Sequence, residues 1–325
     1  LAIAALLGTG AASAATFQVN DDMAVSIDGR LYYGYTDIND SNGDGSTSYG
    51  DYSRFQLGTE NDLGNGLTAF SGVRINTDAF DNNNSRTTSD VDISSSDDDA
   101  SITTSGVNMS RSFVGVRGDF GTVTAGDYGK VYDDLLSITD VFDNFAPTSS
   151  DSDSSARQIR YSAPTMNGLT VHVGVSLESD AETSNENNSS SFEGGVSYEL
   201  GNATLFAAYD QAKLISGNAD EDANYGLGVT TTLAGADVGV VYHNNGSSAT
   251  DQEVTGLVLT VPYAAGSISG SVNNVDPETG DSRTEINLVA RYNLASNMYL
   301  SAEYQVADKA NDEDDGYGLA VYYGF

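Results

Sequence analysis

Tyr317-Gly-Leu-Ala-Val-Tyr-Tyr-Gly-Phe325 closes the chain. Tyr317, Leu319, Val321, Tyr323 and Phe325 are large and apolar, and the residues between them are Gly or Ala apart from Tyr322. A period of two is one face of a β-strand. So apolar a strand gains little at the end of a water-soluble sheet, where chain ends fray. It gains where the last strand closes against the first, because closure removes both sheet edges. The small residues then face a lumen and the large ones face lipid.

The opposite end agrees with an exported chain. Residues 1–14 are almost wholly apolar and end in Ala12-Ser13-Ala14, the A-x-A pattern of a secretory cleavage site. Cleavage after Ala14 is expected, from a leader that reads as truncated because a charged n-region and initiator Met are missing. The mature chain is then 15–325. No later apolar run reaches the length of a spanning helix.

Composition narrows the class. There is no Cys and no Trp, with 35 Gly, 19 Tyr and only 4 Pro. No disulfide framework holds the exported chain, so its stability comes from backbone pairing and packing. The 47 acidic residues against 13 basic ones give a formal charge of −34. These acids gather in segments that alternate with clean strands, which makes them solvated loops on an ordered scaffold rather than a disordered chain. With no basic patch, nucleic acid is excluded as a partner.

Two kinds of connector alternate along the chain. Short, turn-like ones lie at 61–66, 118–121, 164–168, 199–202, 233–235, 262–266 and 293–297, each with the Gly, Asn, Asp or Pro that tight turns require. Long ones lie near 37–51, 78–106, 131–157, 180–190, 212–222, 244–251, 274–282 and 307–315. Seven short turns and eight long loops separate sixteen strands of roughly ten residues each. This sorting is what an up-and-down, antiparallel transmembrane β-barrel produces, with short periplasmic turns at one rim and long extracellular loops at the other. A soluble sandwich or propeller has no reason to sort its connectors.

Strand phases support a watery interior. In the first strand Val25, Ile27, Leu31, Tyr33 and Tyr35 share one face, while Ser26, Asp28, Arg30 and Tyr32 share the other. In a later one Val171, Val173 and Val175 alternate with His172 and Gly174. Sixteen strands enclose an aqueous channel, whereas eight are filled by side chains.

Three segments bring the chain close to a known family: Ser53-Arg-Phe-Gln-Leu-Gly-Thr-Glu-Asn-Asp-Leu-Gly-Asn-Gly-Leu67, Ser112-Phe-Val-Gly-Val-Arg-Gly-Asp-Phe-Gly-Thr-Val-Thr-Ala-Gly126, and Arg157-Gln-Ile-Arg-Tyr-Ser-Ala-Pro164 followed by Asn167-Gly168. With them the chain resembles the general porins of Gram-negative bacteria over essentially its whole mature length. Tyr323 and Phe325 resemble the terminal signal by which the barrel-assembly machinery recognises outer-membrane barrels. The resemblance implies a homotrimer in outer-membrane lipid and lipopolysaccharide. It also implies passive transport of ions and small hydrophilic solutes, with neither cofactor nor enzymatic activity.

The resemblance further implies a third loop folded inward to narrow the pore, here about 131–156. Leu135, Leu136, Ile138, Val141, Phe142 and Phe145 set this loop apart from the other, polar loops, and so many apolar groups need burial somewhere. The family's constriction sets loop carboxylates against wall arginines. The matching wall positions are Arg30, Arg54, Arg74 and Arg160, with Arg157 nearby and Arg111 departing from the usual spacing. Strict alternation from an outward Phe113 turns Arg111 toward lipid, which costs about 2–4 kcal/mol at midplane. On the loop, Asp140 and Asp143 are expected to face Arg54, with Asp133 and Asp134 nearer its root.

Two further patterns carry less. Asp40-x-Asn42-x-Asp44-Gly45 has calcium-loop spacing, but no helices flank it and the same residue types fill every loop. His172 and His243 lack a nucleophile-elbow partner. The excess of acids leads to an expectation of mild cation selectivity. The alternative is a non-channel barrel acting as an adhesin or surface receptor through its acidic loops, and the apolar third loop argues against it.

Overall fold

The computed structural model describes residues 15–38, 46–77, 107–148, 154–176, 191–211, 223–246, 252–307 and 315–325. The leader at 1–14, the calcium-like pattern at 40–45, the greater part of five long connectors and shorter stretches of the connectors at 37–51 and 131–157 lie outside the described residues. Eighteen strand segments and one short helix follow in order: β1 Ala15–Gln18, β2 Met23–Ile38, β3 Ser46–Asp51, β4 Ser53–Gly64, β5 Leu67–Thr77, β6 Val107–Gly118, β7 Gly121–Gly129, α1 Val131–Leu136, β8 Ser154–Ser162, β9 Leu169–Ser176, β10 Ser191–Leu200, β11 Ala203–Asp210, β12 Asn224–Leu233, β13 Ala236–Asn245, β14 Gln252–Tyr263, β15 Gly266–Pro277, β16 Arg283–Ala295, β17 Met298–Ala307 and β18 Gly316–Gly324.

All the strand pairings are antiparallel, and β18 pairs with β2 to close the ring. The segments make sixteen wall strands, as the connector pattern requires. β3 and β4 are two pieces of one strand, both paired with β2 and interrupted at Tyr52, whose N–H still reaches the Tyr32 carbonyl at 3.2 Å. β1 shares an edge of β2 with β18: Ala15–Gln18 pair with residues 24–27, and β18 covers Arg30–Ile38. Between them Gly29 and Phe325 exchange backbone bonds of 2.9 and 3.1 Å, so the final residue is the seam.

The seven short turns fall where they were expected. At the first of them Asn65 has φ 54°, flanked by Gly64 and Gly66 at φ 76°, the left-handed conformation that Gly and Asn tolerate. Three long connectors are shorter than expected: β3 takes Ser46–Asp51 from the one at 37–51, and β8 begins at Ser154 within the one at 131–157. The loop expected at 274–282 shrinks to 278–282, because β15 keeps its pairing as far as Gln252 with Pro277 and Val275 with Arg283.

The two faces of the wall have opposite chemistry. Phe55, Leu57, Leu227, Leu257, Leu288 and Leu319 are exposed on the outside, while His172, Asn224, Asn273 and Asn287 are buried on the inside. Burial of one Leu side chain is worth roughly 1.5–3 kcal/mol, so an outer belt of this kind is stable against hydrocarbon and not against water. No helix among the described residues is long and apolar enough to cross a membrane, and the wall itself makes the crossing.

Candidate pore constriction

The third loop enters the barrel. Its α1 buries Val131, Tyr132, Leu135 and Leu136 against Ala208 and Val241 of the wall, with Ile138 and Phe206 packed around them. Inward glycines make the room. A Cβ on Gly195 would lie 2.3 Å from Leu135, one on Gly226 2.6 Å from Leu136, and one on Gly228 or Gly239 2.3 or 2.4 Å from Ile138. The expectation that the apolar residues of this loop pack on the inner wall is met, and the wall positions that accept them are the ones without side chains.

Wall carboxylates tie the loop down through its backbone. Glu193 on β10 accepts the N–H groups of Val131 at 2.8 Å and Tyr132 at 3.3 Å, at the start of α1, and also takes the Gln158 amide. At the loop tip, Glu303 on β17 accepts three consecutive N–H groups: Asp143 at 2.8 Å, Asn144 at 2.8 Å and Phe145 at 3.1 Å. Further along, Glu285 on β16 accepts the Thr148 N–H at 2.9 Å and its hydroxyl at 2.6 Å, while Arg283 reaches both Glu285 and the Thr148 hydroxyl. The Asn287 amide donates to the Phe145 carbonyl at 2.8 Å, and the Tyr32 hydroxyl donates to Asn144 Oδ1 at 2.8 Å.

The wall beside this latch, from β2 to β6, carries the arginines. Arg30 on β2 pairs in register with Arg54 on β4, and Arg74 on β5 faces Gln56 across one interface and Arg111 on β6 across the other. The four therefore share the inward face of neighbouring strands. Phe113 is on that same face: it lies over Gly72, with ring centroids 6.3 Å from Phe70 and 4.8 Å from Tyr128. Arg111 follows its phase, with its guanidinium 6.0 Å from the Tyr128 ring. The concern that Arg111 points to lipid is removed, because the aromatic used to set the phase itself faces inward. The bulge between Arg74 and Ile75 then turns Met109 outward.

The remaining site residues divide differently from expectation. Arg160 is buried at the loop root, where it pairs with Asp134, donates to the Gly129 carbonyl at 3.1 Å and covers the Tyr128 ring. Asp133 is buried within α1. Arg157 falls in β8, but its side chain lies outside the described residues. Asp140 is exposed on the loop. Asp143 does not face Arg54. It is held by Arg291 of β16 at 3.0 Å and by the Tyr299 hydroxyl at 3.1 Å, and Arg291 also donates to the Val141 carbonyl. The reason is register: Arg291 and Tyr299 sit on the wall against which the loop tip is already latched by Glu303. The signal for these missed residues was present in the phases of their strands, since Glu285, Arg291 and Glu303 all fall on inward positions.

Residues 1–324 match the Gram-negative porin family. A monosaccharide porin from a Halomonas species and the major outer membrane protein of Halomonas elongata are each 24% identical, aligned over 100% of this chain and 98% of theirs. Among solved structures, an anion-selective porin from Comamonas acidovorans superposes with a TM-score of 0.75 at 18% identity, over 94% of this chain and all of that one. OmpF of Salmonella typhi in complex with daunomycin gives 0.72 at 15%, over 96% of this chain and all of that one. A closed sixteen-strand wall, an inward third loop and this family match agree: the chain belongs to the Gram-negative porins of the outer membrane.

Proposed function

We propose that the protein is a general diffusion channel through which ions and small hydrophilic solutes cross the outer membrane passively. The observation that supports it most directly is the third loop, latched inside the lumen to β10, β16 and β17, with the arginines of β2, β4, β5 and β6 lining the wall that continues from its tip. Fixed charge on a narrow wetted wall orders water and favours polar solutes over apolar ones. The name of one relative speaks of monosaccharides, and neutral sugars fit such a passage.

Two opposing fields set the ion preference. Acids outnumber bases by 47 to 13, largely in the loops, and favour cations at the mouth. The arginine row favours anions at the narrowest point. The Debye length is about 30 Å at 0.01 M salt and about 3 Å at 1 M, so the mouth acts at a distance only in dilute salt. The expected result is mild cation preference at low salt that fades or reverses as salt rises. The functional unit is a homotrimer set in outer-membrane lipid and lipopolysaccharide and inserted by the barrel-assembly machinery. Single-channel recording of purified protein in a planar bilayer tests the channel. Stepwise ohmic conductance in KCl is expected, and a protein that inserts without conducting overturns the reading. Anion preference at low salt would refute the charge balance alone.

A further inference from the structure

Passage of simple ions needs no aromatic ring, yet aromatic faces flank the arginines. Gly34 lies against Asn144 of the inward loop and pairs in register with Gly50, so both face the lumen. The Tyr52 ring rests on Gly50, 5.6 Å from the ring of Tyr32, and remains 54% exposed, so it presents an open face to the pore. Tyr322 on β18 pairs with Tyr32 and is therefore inward too; one of its faces is stacked on Tyr299 at 4.6 Å and 8°. Arg30 and Arg54 sit beside them. Arg30 donates Nε to the Tyr52 carbonyl at 3.0 Å, which points the rest of its fork away from the backbone. Neither arginine has a carboxylate within salt-bridge distance among the described residues.

We propose that this stretch of wall is a binding site for a carboxylated monosaccharide, a hexuronic acid, on its way through the pore. It rests on the channel reading above and names the solute for which the wall is built. A guanidinium fork accepts a carboxylate in two parallel hydrogen bonds. The C–H face of a pyranose lies flat on a phenol ring, an apolar contact that keeps the sugar hydroxyls at its edge. Those hydroxyls meet amides: Gln56 and Asn76 occupy the inward positions next to the arginines. The amide oxygens of Gln56 and Asn76 accept from Arg74 and Ser110, which leaves their N–H groups for the sugar. A simple carboxylate leaves the rings unused, a neutral sugar leaves the guanidinium groups unused, and an aromatic acid leaves those N–H groups unused.

The test is titration of the open channel in a planar bilayer with glucuronate, glucose, acetate and benzoate, reading solute-induced current blockade in KCl. Glucuronate is expected to half-block at a concentration about tenfold lower than any of the other three, the size of one charge-assisted hydrogen bond. Arg54→Gln and Tyr52→Ala should each bring glucuronate to the level of glucose. If KCl conducts normally but glucuronate blocks no better than acetate, glucose or benzoate, the site is refuted while the channel stands. A loss of selectivity between solutes in neither variant also refutes it. Failure to conduct KCl at all is the separate outcome that removes the channel.

Discussion

Glu303 carries more of the constriction than any loop acid, because among the described residues it is what holds three consecutive amide groups of the loop tip. A buried N–H left unsatisfied costs about 1–3 kcal/mol. Glu303→Ala should therefore free the loop tip while leaving the barrel closed. The expected signs are larger, noisier single-channel currents and new protease cleavage within 141–148, at unchanged thermal stability of the barrel; quiet, parent-like currents would show that the tip is held elsewhere. Asp143→Asn should leave the tip latched, since Glu303 holds its backbone N–H, and should instead move the reversal potential toward anions, because Arg291 loses its carboxylate. Arg54→Ala should behave differently, with the reversal potential moving toward cations and stability hardly changed, because charges in a wetted pore stay solvated when a partner is lost. Asp140→Asn should move it toward anions. The arginine row was legible from strand phase and family motif. The pairing of Asp143 with Arg291 was not, because nothing local connects residues 148 positions apart, and neither was a latch made to backbone amides, which leave no mark on the residue types of the loop.

At the scale of elements, α1 and its wall form one unit. The short helix has no side-chain cap and gains its place from packing and from Glu193 at its first turn. Its fit depends on absent side chains. Gly228→Val puts a Cβ 2.3 Å from Ile138, an overpacking that costs about 1–3 kcal/mol and is relieved most simply by moving the loop off the wall. Raised conductance is expected. Gly194→Ala is the control: its Cβ meets nothing closer than 3.5 Å, and conductance should stay at the parent value. A parent-like Gly228→Val channel would mean the helix repacks in place. That the loop's apolar residues need burial was plain from the sequence. Which wall would receive them was not, since inward glycines occur on many strands and only register decides which ones lie beneath the loop.

At the scale of the whole molecule, closure depends on the last residue. Phe325 exchanges two backbone bonds with Gly29, and its ring covers that glycine in a cluster with Phe55 and Tyr323, at 5.6 and 6.3 Å. Phe325→Ser should reduce the amount of heat-modifiable oligomer recovered from outer membranes before it alters the current through any channel that does assemble. Unchanged recovery would mean that the seam forms without the aromatic cluster. The architecture was almost entirely readable, because strand period, turn residues and the alternation of connectors are all local signals. Tyr317, Leu319 and Tyr323 do face outward as their period requires. What stayed out of reach depends on contacts across the lumen.

The latch on the third loop has an evolutionary corollary. An amide hydrogen is the same on every residue except proline, so Glu303 grips positions 143–145 whatever side chains they carry. Mutation can therefore rewrite the lining of the eyelet at these positions without loosening the frame that holds it. Permeability is free to drift toward new nutrients while the barrel stays the same, and proline is the one replacement the grip forbids.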